Sequence, residues 1–163
     1  MARRPVDSEA RKDPTAIHAA AVTQLARRDY ASEELRQKLI GRGFDADLVA
    51  QAIAQLTESG ALDDARFAEN HVTFHAQRGQ GPVRIAAELR TLGVSAELIE
   101  RALQAGPDWR QLAHRARVRK FGREVPTAWA EKSRQARFLQ YRGFSSDHVR
   151  SALGPDFELE DSP

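Results

Sequence analysis

The apolar positions of this chain recur at helical spacing and break off at glycine. Val49, Ala52, Ile53 and Leu56 stand at i, i+3, i+4 and i+7, which lays an apolar stripe along one face of a helix. Upstream, Ile17, Ala21, Gln24 and Leu25 share a face until Arg27-Arg28-Asp29-Tyr30 interrupts it, and Ser32 then stands where a helix cap is needed. Phe67, His71 and Phe74 form a comparable face, ended by the segment RGQGP at 78–82, with Pro82 suited to the first position of a new helix. A further helix begins near Trp109 and carries Leu112, Ala113, Ala116 and Phe121.

These stripes belong to a repeat with a period of fifty. KLIGRGFDADLVAQAI, ELRTLGVSAELIERAL and FLQYRGFSSDHVRSAL align with identities at Leu39/Leu89/Leu139, Gly43/Gly93/Gly143 and Ala52/Ala102/Ala152. Each glycine follows a run of good helix formers, where a residue with positive φ closes the helix without a steric cost. Phe44, Val94 and Phe144 can then fold back on the last turn in a Schellman-type stop, and Asp45, Ser95 and Ser145 can cap the following helix. Asp47, Glu97 and Asp147 fall in its first turn, favourably placed for the helix dipole. The register extends upstream through Ile17/Phe67, Val22/Val72, Thr23/Thr73, Ala26/Ala76 and Arg28/Arg78. In the third copy the first helix starts earlier, GREVPTAW at 122–129 absorbs the difference, and a longer middle helix is expected.

The predicted architecture is all-α: three tandem three-helix, helix-turn-helix-like repeats at 15–60, 61–107 and 108–153. They are flanked by a disordered N-terminal tail at 1–14 and an acidic C-terminal tail at 154–163. A unit of this size has little core of its own, so neighbours share apolar surface and an elongated chain is expected.

Charge changes the picture in the third repeat. Lys/Arg stand against Asp/Glu as 9 to 9 over 1–60, 5 to 6 over 61–107, 11 to 4 over 108–153 and 0 to 4 over 154–163. A basic block of this kind points to a polyanionic partner or an acidic protein surface. Composition adds exclusions. The 163 residues include no cysteine, which rules out a disulfide framework or a cysteine-rich zinc site and fits a reducing compartment. No apolar run follows the N-terminal charges, and none approaches the ~20 residues that span a bilayer, so a soluble cytoplasmic protein is expected.

Candidate chemistry is sparse. His71 and His75 lie four apart and can face the same way toward a metal, but no third ligand is evident nearby, and no metal site is expected. Asp63 and Asp64 read as a helix cap and a first-turn acid. The glycines of RGQGP lack the strand and the lysine that a phosphate loop requires. With no nucleophile, base and oxyanion set, neither catalysis nor a cofactor is expected. Binding falls to the cations, since a guanidinium pairs with carboxylates and phosphates alike. The candidates are Arg27 and Arg28 at the end of the first helix, Arg78 and Arg84 beside the Gly-Pro turn, and a third-repeat group. That group comprises Arg115, Arg119, Lys132, Arg134, Arg137 and Arg142, with Arg117 and Lys120 among them and Trp129 and Tyr141 between.

The segments LARRDYASEELRQKLIGRGF, GALDDARFAENHV, RGQGPVRIAAELRTLGV and FLQYRGFSS, in that order, resemble the RecX regulatory proteins from about residue 15 to residue 153. The resemblance implies a bacterial cytoplasmic regulator that binds the RecA filament in its helical groove; a monomer is expected. It further implies restraint of RecA ATPase, strand-exchange and coprotease activities in recombination, DNA repair and the SOS response. Leu92 and Val94 depart from Arg42/Arg142 and Phe44/Phe144, so the middle repeat need not meet the partner as its neighbours do.

The alternative is a tandem helix-turn-helix protein acting directly on DNA. In such modules the helix after the turn presents polar and basic side chains to base edges. Here DADLVAQAIAQLTES and SAELIERALQAG are acidic and apolar, which a duplex repels, while SSDHVRSAL offers one arginine. Nonspecific contact with single- or double-stranded DNA through the third repeat stays open. Three units strung along an axis should give, by small-angle scattering, a radius of gyration clearly above the ~15 Å of a compact domain of this length; a value at that limit would remove the elongated arrangement.

Overall fold

Where the repeat places glycine, the backbone turns left-handed: φ is 97° at Gly43, 82° at Gly93 and 95° at Gly143. The computed structural model describes residues 6–154, 156 and 157. Among them are nine α-helices and no strand: α1 (Pro14–Leu25), α2 (Ser32–Gly41), α3 (Ala46–Glu58), α4 (Asp64–Gln77), α5 (Pro82–Thr91), α6 (Ala96–Gln104), α7 (Trp109–Phe121), α8 (Trp129–Tyr141) and α9 (Ser146–Leu153). They form three consecutive three-helix groups. α8 has 13 residues against 10 in α2 and in α5, the longer third middle helix that the shifted register predicts. Among the described residues no helix is long and apolar enough to cross a membrane.

The turns close as their chemistry dictates. At Gly43 and Gly143 the next amide donates back to Leu39 O and Leu139 O, while the glycine amides donate to Ile40 O and Gln140 O, a Schellman stop in each case. The following helices are capped by Asp45, which accepts from the amides of Asp47 and Leu48, by Ser95, which accepts from Leu98, and by Ser145, which accepts from His148. Nδ1 of His148 accepts in return from the Ser145 amide at 3.3 Å. Burial, reinforced by the charge of Arg110, holds this imidazole below its usual pKa, and the neutral ring keeps the lone pair the cap uses.

One cap is built differently. Ser32 does not cap α2 but begins it, and Ala31 at the cap position has no side-chain acceptor. The amide and hydroxyl of Ser32 both donate to Asp64 Oδ1, at 2.8 and 2.9 Å. Asp64, a first-turn acid of its own helix, thereby serves the end of another, while Asp63 caps α4 by accepting from the Arg66 amide at 3.0 Å.

The helices divide into two units: the described residues up to 68 with 90–98, and residues 69–89 with those from 99 onward. The middle repeat contributes to both. The first unit has a core of Ile17, Ala21, Tyr30, Leu35, Leu39, Phe44, Val49, Ala52, Leu56 and Leu62. The second has one of Ala113, Ala136, Leu139, Phe144, Val149, Ala152, Leu153 and Phe157. Two upstream expectations fail. Val22 is 44% exposed while its counterpart Val72 is 1% exposed, and Phe74 is 49% exposed. The buried residues of α4 are Phe67, Ala68, Val72 and Ala76, and Phe74 instead lies under the Arg78 guanidinium, 4.1 Å from its ring centroid.

The expected tails are partly structured. Val6 packs on the first core, a 3-10 turn forms at Ala10–Lys12, and Arg11 O accepts from the Asp45 amide at 2.9 Å. Phe157 is buried in the second core. The remainder of both predicted tails, residues 1–5, 155 and 158–163, lies outside the described residues.

Arg117 is no surface cation. It is wholly buried and donates to the carbonyls of Gly122, Arg123 and Glu124 and to Gln135 Oε1, pinning the 122–124 turn to the core. Burial holds its pKa below the usual arginine value.

Backbones meet directly at Gly81 and Gly143. The Gly81 amide donates to Arg142 O at 2.8 Å and the Val83 amide to Gly143 O at 2.9 Å. A Cβ on Gly81 would overlap the Gly143 carbonyl, and one on Gly143 would overlap the Arg84 side chain and stand 2.8 Å from the Arg84 amide nitrogen. Gly93 makes the same kind of approach in the first unit, against the Glu33 side chain. Gly60 has positive φ but nothing within 4 Å of a Cβ, so it isolates the conformational cost. Gly60→Ala should therefore cost about 1–2 kcal/mol, and Gly143→Ala should add about 1–3 kcal/mol of overpacking, in thermal or urea denaturation. Equal losses at the two sites would mean that the backbones do not pack this closely.

Candidate polyanion-binding groove

The groove begins at two helix ends. α4 stops in a Schellman turn at Gly79, where the Gly79 amide donates to Ala76 O and the Gln80 amide to His75 O, so Arg78 occupies the C-cap. Arg142 occupies the C-cap of α8 before Gly143. Each guanidinium is thus carried at the negative end of a helix dipole. The contact between Gly81 and Gly143 brings the two ends together, with Arg142 Nη1 donating to Arg78 O at 3.4 Å.

The facing wall is α7. Arg115 and Arg119 lie four apart on one face, with Ala116 between them leaving room above the helix. Arg78, Arg119, Lys120 and Arg142 line a cavity of about 340 Å³ floored by Ala116 and Phe138. Through Gly79, Ala116 and Arg119 it continues into a cleft of about 620 Å³ reaching Arg115, Leu112 and Gly106. No aspartate or glutamate lines either part. Among the described residues Arg115, Arg119 and Lys120 form no ion pair, and Arg115 is steadied only by Gln111 Oε1 at 2.6 Å. Cations gathered without carboxylates keep their full field for an incoming anion.

Of the predicted residues the groove unites Arg78, Arg115, Arg119 and Arg142, joined by Lys120. The others fall elsewhere. Arg27 and Arg28 belong to the first unit, where Arg28 pairs with Glu34 and lies 3.6 Å from the Tyr30 ring centroid. Arg84 donates to Glu88 at 3.2 Å. Arg134 pairs with Glu131 at 2.8 Å, which holds that carboxyl below the usual carboxylate range. Lys132, Arg137 and Tyr141 do not line the groove, and Tyr141 is 79% exposed. The helices after the glycine turns present no basic face: α3 exposes Asp47, Gln51 and Gln55, α6 exposes Glu97, Glu100 and Arg101, and Arg150 of α9 is paired with Asp147 at 2.9 Å.

Comparison with known proteins fits this architecture piece by piece. The family models for RecX match in chain order: the first three-helix domain over residues 18–56, the second over 63–103 and the third over 108–153. The regulatory protein RecX of Halorhodospira halophila (strain DSM 244 / SL1) is 47% identical over 146 residues, spanning 89% of this chain and 91% of the relative. The regulatory protein RecX of Pseudomonas savastanoi pv. phaseolicola is 39% identical over 141 residues, spanning 86% and 91%. The crystal structure of RecX from Lactobacillus salivarius shares the fold with a TM-score of 0.75 at 19% identity, over 86% of this chain and 94% of that one. Domain order, identity across most of both sequences and fold agree, and the chain belongs to the RecX family of regulatory proteins.

Proposed function

We propose that this chain regulates recombination and DNA repair by binding the RecA recombinase filament and restraining its ATPase, strand-exchange and coprotease activities, as a cytoplasmic monomer in the SOS response. The observation that carries this reading is the acid-free groove of Arg78, Arg115, Arg119, Lys120 and Arg142. A filament of protein on single-stranded DNA offers both partners such a groove recognises, carboxylates on protein and phosphates on nucleic acid. Direct reading of duplex sequence is disfavoured because α3, α6 and α9 lack a cationic face. Nonspecific phosphate contact through the groove fits filament binding and adds salt dependence to it.

Order of addition tests the partner. Added to RecA already assembled on single-stranded DNA with ATP, the protein should lower ATP hydrolysis and strand exchange at amounts too small to coat the DNA. A protein that only competes for free DNA should fail there. Arg119→Glu combined with Arg142→Glu should weaken filament binding roughly tenfold or more, because complementary charge becomes repulsive. Arg134→Glu, at a site already neutralised by Glu131, should have less than about a threefold effect. Untouched filaments together with a sequence-dependent shift of duplex DNA would replace this reading with that of a tandem helix-turn-helix DNA-binding protein.

A further inference from the structure

Two histidines that the sequence left without a third partner acquire one in the fold. His71 and His75 stand one turn apart on α4, their ring centroids 4.1 Å from each other. Glu88 of α5 faces both, with Oε2 at 3.3 Å from His71 Nε2 and 3.7 Å from His75 Nδ1. The three ligand atoms lie within 4.8 Å of one another. Tetrahedral zinc with bonds of about 2.0–2.1 Å requires ligand atoms about 3.3 Å apart. Two edges are already near that length, and a small ring rotation closes the third.

His75 Nδ1 is buried and has no hydrogen-bond partner. A neutral imidazole in this position directs its Nδ1 lone pair, when the proton sits on Nε2, toward the carboxylate, acceptor against acceptor. Such an arrangement is unfavourable unless a proton or a metal ion stands between the two. The other carboxylate oxygen is held by Arg84 Nε at 3.2 Å, which orients Glu88 as outer-shell partners orient metal ligands. We propose that His71, His75 and Glu88 form a binding site for a divalent transition metal of the zinc class, which staples α4 to α5 and keeps a coordination position open. Two imidazoles and a carboxylate select zinc, nickel or copper over magnesium and calcium, which take all-oxygen sites. The site stands independently of the partner proposed above.

The test uses the full chain, stripped with chelator and titrated with zinc chloride. Calorimetry should show one saturable equivalent, and cobalt(II) in place of zinc should give the intense visible bands of a low-coordinate nitrogen and oxygen site. Free zinc at a hundred times Kd should raise Tm by about 5–10 °C. His75→Ala and Glu88→Gln should each weaken zinc binding at least tenfold, whereas His114→Ala, an exposed histidine of α7, should not change it. Absence of saturable zinc binding by the wild-type chain would overturn the proposal, as would binding that survives both His75→Ala and Glu88→Gln unchanged. The cobalt spectrum of the wild-type protein decides the matter even if a variant fails to fold.

Discussion

The groove depends on two glycines in contact. Gly81 and Gly143 let two backbones approach until amide meets carbonyl, with no side chain between them, and the hydrogen bonds from Gly81 and Val83 fix the separation. The consequence is electrostatic. Both segments leave helix ends, and both carry arginine at the C-cap, so a backbone contact gathers two positive charges. Their repulsion is offset by the carbonyls around them: each guanidinium sits at the negative end of its helix, and Arg142 donates to Arg78 O. No pairing of side chains would place two arginines together on its own. The glycines do it because the charges travel on the same short turns, Arg142 next to Gly143 and Arg78 three residues before Gly81.

α7 completes the arrangement through periodicity. Arg115 and Arg119, four apart, share the face that meets the groove, while Arg117, between them, points nearly opposite and enters the core. The same helix therefore supplies cations to solvent and a staple to the 122–124 turn. Arg117 can stay buried because backbone carbonyls and Gln135 accept from its two terminal nitrogens, while its Nε–H stays buried without a partner among the described residues and desolvation lowers its pKa.

Which features were legible in the sequence follows from their physical range. The glycine turns, the caps at Asp45, Ser95 and Ser145 and the helical order were legible because each needs only residues within one turn of chain. Core columns such as Leu39/Leu139 and Val49/Val149 held because each repeat folds the same phrase onto itself. Val22 and Val72 diverged because their surroundings come from other segments, which a period does not encode. Ser32 lost its capping role for the same reason, since its partner Asp64 is 32 residues away. Outside the groove, the pairs Glu131 with Arg134 and Arg84 with Glu88 stand at spacings of three and four, a signal the sequence carries but that the choice of both arginines as binding cations did not use. The meeting of Arg78 with Arg142, 64 residues apart, was not legible.

Arg84 ties the two candidate sites of the second unit together. Its backbone and Cβ lie against Gly143, at the joint that sets the groove, while its guanidinium holds the Glu88 carboxylate that faces His71 and His75. α4 carries the two histidines along its length and Arg78 at its end, so any ion held at the histidines acts on the helix that forms one groove wall. Without an ion, Glu88 is anchored by Arg84 and faces the two imidazoles across 3.3 and 3.7 Å. With one, α4 and α5 are joined by coordination bonds, and the freedom of the Arg78 end falls with that of the helix. The stretch from His71 to Glu88 would thus link the proposed metal site to a binding cation, through contacts made entirely within one unit.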